Sequence, residues 1–137
     1  MSYSPWSERF YNGRQQIKVA WRTLINFRPS HFYFFSWLGL QILAWWQAIT
    51  IFKRLSGPVL VLHYNVDFGV DLVASPKHIF IYPLYALLVL LVNLFIILIA
   101  YRRHDFSVFV HLLLAAALLF AIFLNLVLMF IYLINFK

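Results

Sequence analysis

The chain contains no cysteine and only four acidic residues. Without cysteine it cannot form disulfides or thiolate metal sites, and it has no cysteine nucleophile. Eleven Lys and Arg residues against four Asp and Glu residues give a formal net charge of +7 with histidine neutral. Five of the eleven basic residues precede residue 30. This local excess favours anionic lipid headgroups as partners and argues against nucleic acid, which requires a water-facing basic platform.

Charged side chains are also missing from three long apolar runs, at about residues 31–52, 78–101 and 106–136. Pumps, proton-coupled carriers and voltage sensors normally place ionisable groups inside their spans, so these classes are disfavoured. Across the chain 64% of residues are hydrophobic and 11% are charged, whereas a soluble domain has roughly 45–50% and about 25%. Each run can cross a hydrocarbon core of about 30 Å at about 1.5 Å per residue. The sequence therefore predicts an all-α integral membrane protein whose residues 30–137 form three transmembrane helices.

Residues 1–29 are predicted to form a cytoplasmic amphipathic helix that lies in the membrane interface. Pro5 suits a helix start and Pro29 ends the run. Three basic side chains recur at every fourth position beside an apolar face: Arg14, Lys18 and Arg22. They are predicted to contact lipid headgroups; the alternative is a helix that packs on a partner subunit with its charges in solvent. Because the segment lacks the apolar core of a signal peptide, we expect the first transmembrane helix to remain as an anchor.

Basic residues near the ends of the apolar runs predict the orientation. Seven lie in the N-terminal segment and the turn at residues 102–105, and four lie on the other side, at Lys53, Arg54, Lys77 and Lys137. Lys and Arg are enriched on the cytoplasmic side. We therefore expect a multi-pass protein of the cell (inner) membrane with a cytoplasmic N-terminus, an extracytoplasmic C-terminus and an outer loop at residues 53–77.

The outer loop gathers polar and turn-forming residues between apolar segments. It is predicted to form an ordered cap that contacts a partner subunit, because apolar residues flank a polar centre that reverses the chain. The interaction residues are predicted to be His63, Tyr64, Asn65, Asp67, Phe68, Gly69 and Asp71. The alternative is a divalent-cation site whose ligands would be His63, Asn65, Asp67 and Asp71. Their spacing fits no established metal loop, so turn hydrogen bonds are favoured and no metal is expected.

The uncharged polar residues of the apolar runs include Gln41, Gln47, Asn93, His111 and Asn125. Counted at about 1.5 Å per residue from the inner boundary, Gln41, Asn93 and His111 fall at about 15, 12 and 8 Å, and Gln47 and Asn125 at about 24 and 28 Å. Two polar layers result, and Gln41 is predicted to meet Asn93. Interhelical hydrogen bonding is the favoured interpretation; the alternative is a path for water or ions.

Cofactor and catalytic signatures are weak. His31 and His111 differ in depth and lack a flanking motif, which argues against a bis-histidine haem site. The sequence shows no Ser, His and acid arrangement typical of a hydrolase and no Gly-rich phosphate motif. We therefore expect neither a cofactor nor an enzymatic activity.

The stretch LHYNVDFGVDLV at residues 62–73, the proline-bearing start of the second run and Asn93 in LLVNLFI resemble a family of small, functionally unassigned bacterial membrane proteins. That family carries an LHYNxxFGxD-like loop between a first span and a transmembrane hairpin. The likeness covers about residues 60–100, and Asp67 stands where the family pattern has an aromatic residue. The resemblance implies a common three-span architecture and no particular activity.

Two functional classes fit these observations. The first, which we favour, is a small structural or accessory subunit of a membrane protein assembly. The second is a homo-oligomeric pore-forming or transport protein, holin-like or channel-like. Polar groups paired within the helix bundle would support the first class, whereas a wet lumen lined by Gln41, Asn93 and Asn125 would support the second.

Overall fold

The computed structural model describes residues 5–65, 69–100, 102 and 104–136; the side chains of residues 5–14, 16, 64, 65, 70 and 71 lie outside this description. Four α-helices, one short 3₁₀ helix and two strands follow one another along the described residues. In chain order they are α1 (Pro5–Asn26), α2 (Arg28–Arg54), β1 (Leu60–Asn65), β2 (Gly69–Ala74), the 3₁₀ helix (Pro76–Phe80), α3 (Ile81–Ala100) and α4 (Phe106–Phe136).

Three helical segments are long and apolar enough to cross a membrane: Arg28–Arg54, Pro76–Ala100 and Phe106–Phe136. They match the three predicted runs, and α1 matches the predicted N-terminal helix, so the predicted fold class is confirmed. Large apolar side chains are exposed on the outer faces, with Trp46 and Phe123 each at 65%. Water would penalise such exposure, whereas lipid tails are as apolar as these side chains. The chain is a multi-pass membrane protein.

Helix α4 lies at the centre of the bundle and packs against both α2 and α3. Its buried side chains recur at intervals of three and four residues, with Ala117 and Ala121 in the middle of the stripe. Ala48 of α2 and Ala86 of α3 are also buried. Small side chains let neighbouring helix backbones approach closely, which strengthens van der Waals packing where lipid offers no hydrophobic drive for association. The three spans therefore pack closely against one another along α4.

A single residue, Phe27, joins α1 to α2. The Ser30 hydroxyl lies 2.8 Å from the Leu24 carbonyl oxygen and 2.7 Å from the Phe27 carbonyl oxygen, so it donates a shared hydrogen bond across the joint. His31 Nε2 lies 2.8 Å from the Ile25 carbonyl oxygen. These contacts satisfy carbonyl groups at the end of α1 that have no partner within the helix. They also fix the end of α1 to the start of the first span.

The predicted outer loop contains an antiparallel β-hairpin of β1 and β2, which the sequence analysis did not anticipate. Gly69 opens β2 with a φ of +78°, in the left-handed region that favours glycine. The register shifts twice along the hairpin, once on either side of His63. Such bulges increase the twist of a two-stranded ribbon. Leu60 is fully buried at the base of β1 and packs in the cluster that also contains Leu128 of α4.

The 3₁₀ helix leads the chain from the hairpin back into the membrane. Its Phe80 ring stacks on Trp45 of α2 with centroids 6.0 Å apart and tilts against Phe52 with centroids 5.3 Å apart. Ile79 is fully buried beneath it. These contacts hold the hairpin end of α2 to the start of α3.

Candidate functional site at the hairpin end of the bundle

Asn135, in the last turn of α4, fastens the hairpin to the bundle. Its Oδ1 accepts a hydrogen bond from the Val61 backbone N–H at 3.0 Å, and its Nδ2 donates to the Val61 carbonyl oxygen at 2.8 Å. The same Nδ2 lies 2.8 Å from the Ile131 carbonyl oxygen, which fixes the amide's orientation. The side chain thus pairs with β1 as a neighbouring strand would. We call this pair of bonds the Asn135 clamp.

The clamp determines which edge of the hairpin is open. Val61 directs its N–H and carbonyl groups at Asn135, so it forms a pair with Val73 that is not hydrogen-bonded across the strands. The N–H and carbonyl of Val73 therefore point away from β1. Among the described residues the sheet has only these two strands, and the outer edge of β2 has no strand partner. Leu72 and Val73 are also 53% and 51% exposed.

The other predicted loop residues lie in or between the strands. His63 lies in β1, opposite Leu72, and its side chain is exposed. Tyr64 and Asn65 end β1 and Asp71 lies in β2; their side chains lie outside the described part. Asp67 and Phe68 lie outside the described residues altogether. The preference for turn hydrogen bonds over a metal site in this segment stays a prediction.

Gln41 and Asn125 form one polar layer nearer the hairpin end of the bundle. Gln41 Nε2 donates to the Pro83 carbonyl oxygen of α3 at 2.8 Å. Asn125 Nδ2 lies 3.2 Å from the Leu40 carbonyl oxygen of α2 and 2.8 Å from the Ala121 carbonyl oxygen of its own helix. Both side chains are 7% exposed. The two amides tie α2 to α3 and to α4 within one chain.

Asn93 and His111 form a second layer nearer the N-terminal helix. Asn93 Nδ2 donates to the Leu113 carbonyl oxygen of α4 at 2.8 Å. His111 Nδ1 lies 3.2 Å from the Tyr33 hydroxyl of α2, and the Phe27 ring meets the imidazole edge-on with centroids 5.1 Å apart. Tyr33 was not among the predicted polar contacts; it lies in the aromatic stretch at the start of the first apolar run.

The predicted meeting of Gln41 and Asn93 is wrong. Gln41 bonds at Pro83, and Pro83 precedes Asn93 by ten residues on α3, or about 15 Å along the helix axis. The depth count assumed that every helix starts at the same level. In the structure α2 begins at Arg28 rather than at His31, a difference of three residues that accounts for only about 4.5 Å of the offset. A depth count also carries no information on which face of the helix a residue occupies.

Four buried polar atoms in the spans have no hydrogen-bond partner among the described residues: Trp37 Nε1, Gln41 Oε1, Asn125 Oδ1 and Gln47 Oε1. The first three belong to side chains that are more than nine-tenths buried in the bundle. Gln47 differs because its side chain lines a cleft at the membrane-facing side of α2 and α4. It joins neither polar layer.

The predicted headgroup contacts lie on α1. Lys18 and Arg22 are exposed, and the side chain of Arg14 lies outside the described part. Ala20 and Leu24 face the bundle at 1% and 5% exposure. Three further apolar side chains remain exposed between this buried side and the basic stripe: Ile17, Trp21 and Ile25. An apolar arc beside a basic stripe is the arrangement of a helix that lies in a membrane interface.

No protein-family model matches the chain, and comparisons with curated proteins and with solved structures give no significant match.

Proposed function

We propose that this chain is a structural or accessory subunit of a membrane assembly, in which a rigid bundle of three spans presents the hairpin as a docking element. The observation that carries the proposal is the Asn135 clamp. It occupies the outer edge of β1 at Val61, whereas no described strand covers the outer edge of β2. An open strand edge with its own row of donors and acceptors binds an extended segment of a partner by strand addition. The proposed role involves no catalysis.

The polar groups in the spans support a structural role rather than a pore. Gln41, Asn93 and Asn125 each donate to a backbone carbonyl of another helix in the same chain. All three side chains are at least nine-tenths buried, with exposures of 7%, 9% and 7%. A lumen between copies would need such side chains on an outer face of the bundle. Their position favours interhelical bonding, which stabilises a bundle by about 0.6–2 kcal/mol per contact.

The same proposal places the chain in the cell (inner) membrane with α1 on the cytoplasmic face and the hairpin outside. The exposed Lys18 and Arg22 then lie at anionic headgroups of the inner leaflet. The partner is another membrane subunit or a second copy of the chain. In either case the hairpin meets it beyond the outer headgroups.

Substitution of Val73 by proline tests the docking edge. Proline removes the one N–H that Val73 directs outward and is tolerated on edge strands, so the hairpin itself should remain paired. We expect native-gel electrophoresis of gently solubilised membranes to show wild-type protein in a larger complex and Val73→Pro at a smaller size. Val73→Thr is the matched control, because it keeps the N–H and a β-branched side chain; it should migrate as wild-type. Identical migration of the proline and threonine variants would contradict strand addition.

Orientation is tested with single cysteines, since the natural chain has none. Ser56 lies between α2 and β1 and His104 lies between α3 and α4; both side chains are exposed. We expect Ser56→Cys to react with a membrane-impermeant maleimide in intact cells, and His104→Cys to react only after permeabilisation. The reverse labelling pattern would show that the N-terminus is outside.

A further inference from the structure

A cleft of about 320 Å³ lies between α2 and α4 at the hairpin end of the bundle. Its walls are formed by Trp46, Gln47, Thr50, Arg54, Met129 and Tyr132. Trp46, Thr50 and Arg54 are spaced by four residues and so line one face of α2. The cleft opens to the membrane-facing side, where Trp46 is 65% and Met129 is 46% exposed.

Arg54 supplies the positive charge of the cleft. Its guanidinium donates a hydrogen bond to the Tyr132 hydroxyl and lies over the Tyr132 ring, 5.7 Å from the centroid. These two contacts hold the side chain at the cleft rather than in bulk water. A guanidinium has five N–H donors, and Tyr132 uses one of them. The others form a planar fork that suits the oxygens of a phosphate group.

Gln47 supplies a second, independent polar group. Its Oε1 is buried and has no hydrogen-bond partner among the described residues. Gln47 lies seven residues before Arg54 on α2, and the Arg54 side chain leans back toward the N-terminus of its helix, as helical side chains do. The amide is therefore below the guanidinium, deeper in the membrane. Rotation of the amide about its last side-chain bond presents an N–H donor at the same place.

Along the membrane normal the cleft lining changes from charged to polar to apolar, as a phospholipid does from its headgroup to its acyl chains. A cation lies at the headgroup level, an amide lies below it, and an apolar wall of Trp46 and Met129 continues toward the acyl region. Lys53 immediately precedes Arg54 in the last turn of α2 and adds a second positive charge nearby. Two adjacent cations attract a headgroup of net negative charge and repel the ammonium of a zwitterionic one.

We propose that this cleft binds one anionic phospholipid. Its phosphate accepts hydrogen bonds from the Arg54 guanidinium, its glycerol ester region pairs with the Gln47 amide, and one acyl chain lies along Trp46 and Met129. This lipid site is separate from the headgroup contacts of α1 and does not depend on the proposed docking role of the hairpin. Free phosphate fits less well because most of the cleft wall is apolar.

Native mass spectrometry of the full-length protein in detergent tests the site, with phosphatidylglycerol and phosphatidylcholine as the added lipids. We expect wild-type protein to retain one phosphatidylglycerol at concentrations where phosphatidylcholine is lost. Arg54→Gln should weaken phosphatidylglycerol binding about tenfold, as expected for loss of charge-assisted hydrogen bonds. Lys77→Gln removes an exposed positive charge of the 3₁₀ helix, at the same end of the bundle but outside the cleft, and it should change binding less than about threefold. Equal losses in the two variants would overturn the site, because they would show attraction by net charge alone.

Two further variants test the site if Arg54→Gln proves unstable. Tyr132→Phe keeps the ring and removes the hydroxyl that holds Arg54, and Gln47→Leu replaces the unpaired amide with an apolar side chain of similar size. Both should weaken phosphatidylglycerol binding several-fold, and Gln47→Leu should not lower the melting temperature of the lipid-free protein, since it removes an unpaired buried group. Unchanged binding in both variants would overturn the proposal. So would displacement of the lipid by inorganic phosphate.

Discussion

Asn135→Leu is expected to release the hairpin from the bundle while the three spans remain inserted. The substitution removes both hydrogen bonds between Asn135 and the Val61 backbone. At about 1 kcal/mol for each net hydrogen bond, local opening becomes easier by about 2 kcal/mol. When the hairpin recloses faster than a protease cuts it, this corresponds to roughly thirtyfold faster cleavage. Limited proteolysis of the purified protein, with cleavage sites mapped between residues 60 and 74, measures the effect.

Asn135→Asp is the informative companion variant. Aspartate keeps an acceptor for the Val61 N–H, but it loses the donor and places negative charge near the carbonyl oxygens of Val61 and Ile131. Its cleavage rate should therefore lie between those of wild-type and Asn135→Leu. Ile134→Leu, at the exposed neighbouring position, should behave as wild-type. If Asn135→Leu is cut no faster than Ile134→Leu, the clamp does not hold the hairpin.

Ala117→Leu should have the largest effect on the bundle itself. Ala117 is 1% exposed and lies in a cluster with Trp37 of α2 and Leu90 of α3, so the packing leaves no space for the three added carbon atoms. Overpacking of this kind costs about 1–3 kcal/mol in well-packed interiors. Here the helices must also separate, and lipid returns no hydrophobic gain for the larger side chain. We expect a clearly lower melting temperature in detergent, measured by loss of the monodisperse peak after heating.

The adjacent residue provides the control. Ala116 is exposed on the outer face of α4, so Ala116→Leu makes the same chemical change where lipid can accommodate it. Its melting temperature should match that of wild-type. If the two variants lose stability equally, helix propensity or detergent contact is responsible rather than packing between helices.

The sequence was sufficient for the spans because a bilayer imposes a length and a polarity on any helix that crosses it. The three apolar runs had that length, and the structure places the spans within a few residues of the predicted bounds. The predicted ends of the helices were less accurate. Helix α2 begins at Arg28 because Phe27 alone makes the turn from α1, and the charged Arg28 was assigned to the preceding segment.

The sequence did not predict the hairpin because the alternation of apolar and polar residues that is typical of strands is weak within residues 53–77. Turn-forming residues at its centre indicated a reversal of the chain, and that much agrees with the antiparallel pairing of β1 and β2. The two bulges interrupt the strict alternation that would have indicated strands. Asn135 could have drawn attention as an amide near the end of an apolar helix. Its partner, however, is a backbone group 74 residues earlier, and composition alone cannot identify such a contact.

The sequence identified polar residues in the spans but not their hydrogen-bond partners. Gln41, Asn93 and Asn125 each donate to a backbone carbonyl. The acceptors are the carbonyls of Pro83, Leu113 and Leu40, respectively. Every residue has a carbonyl, so side-chain chemistry cannot identify that partner. Only the rotation and offset of the helices determine it.

The distance along the chain between Val61 and Asn135 also determines when the clamp can form during synthesis. During synthesis β1 leaves the ribosome 74 residues before the side chain that covers its edge. At a synthesis rate of about 5–20 residues per second, Asn135 is made roughly 4–15 s after Val61. The hairpin can be fastened only after α4 has entered the membrane, so clamping is a late step of biogenesis. Until α4 is in place, the outer edge of β1 at Val61 lacks its hydrogen-bond partner.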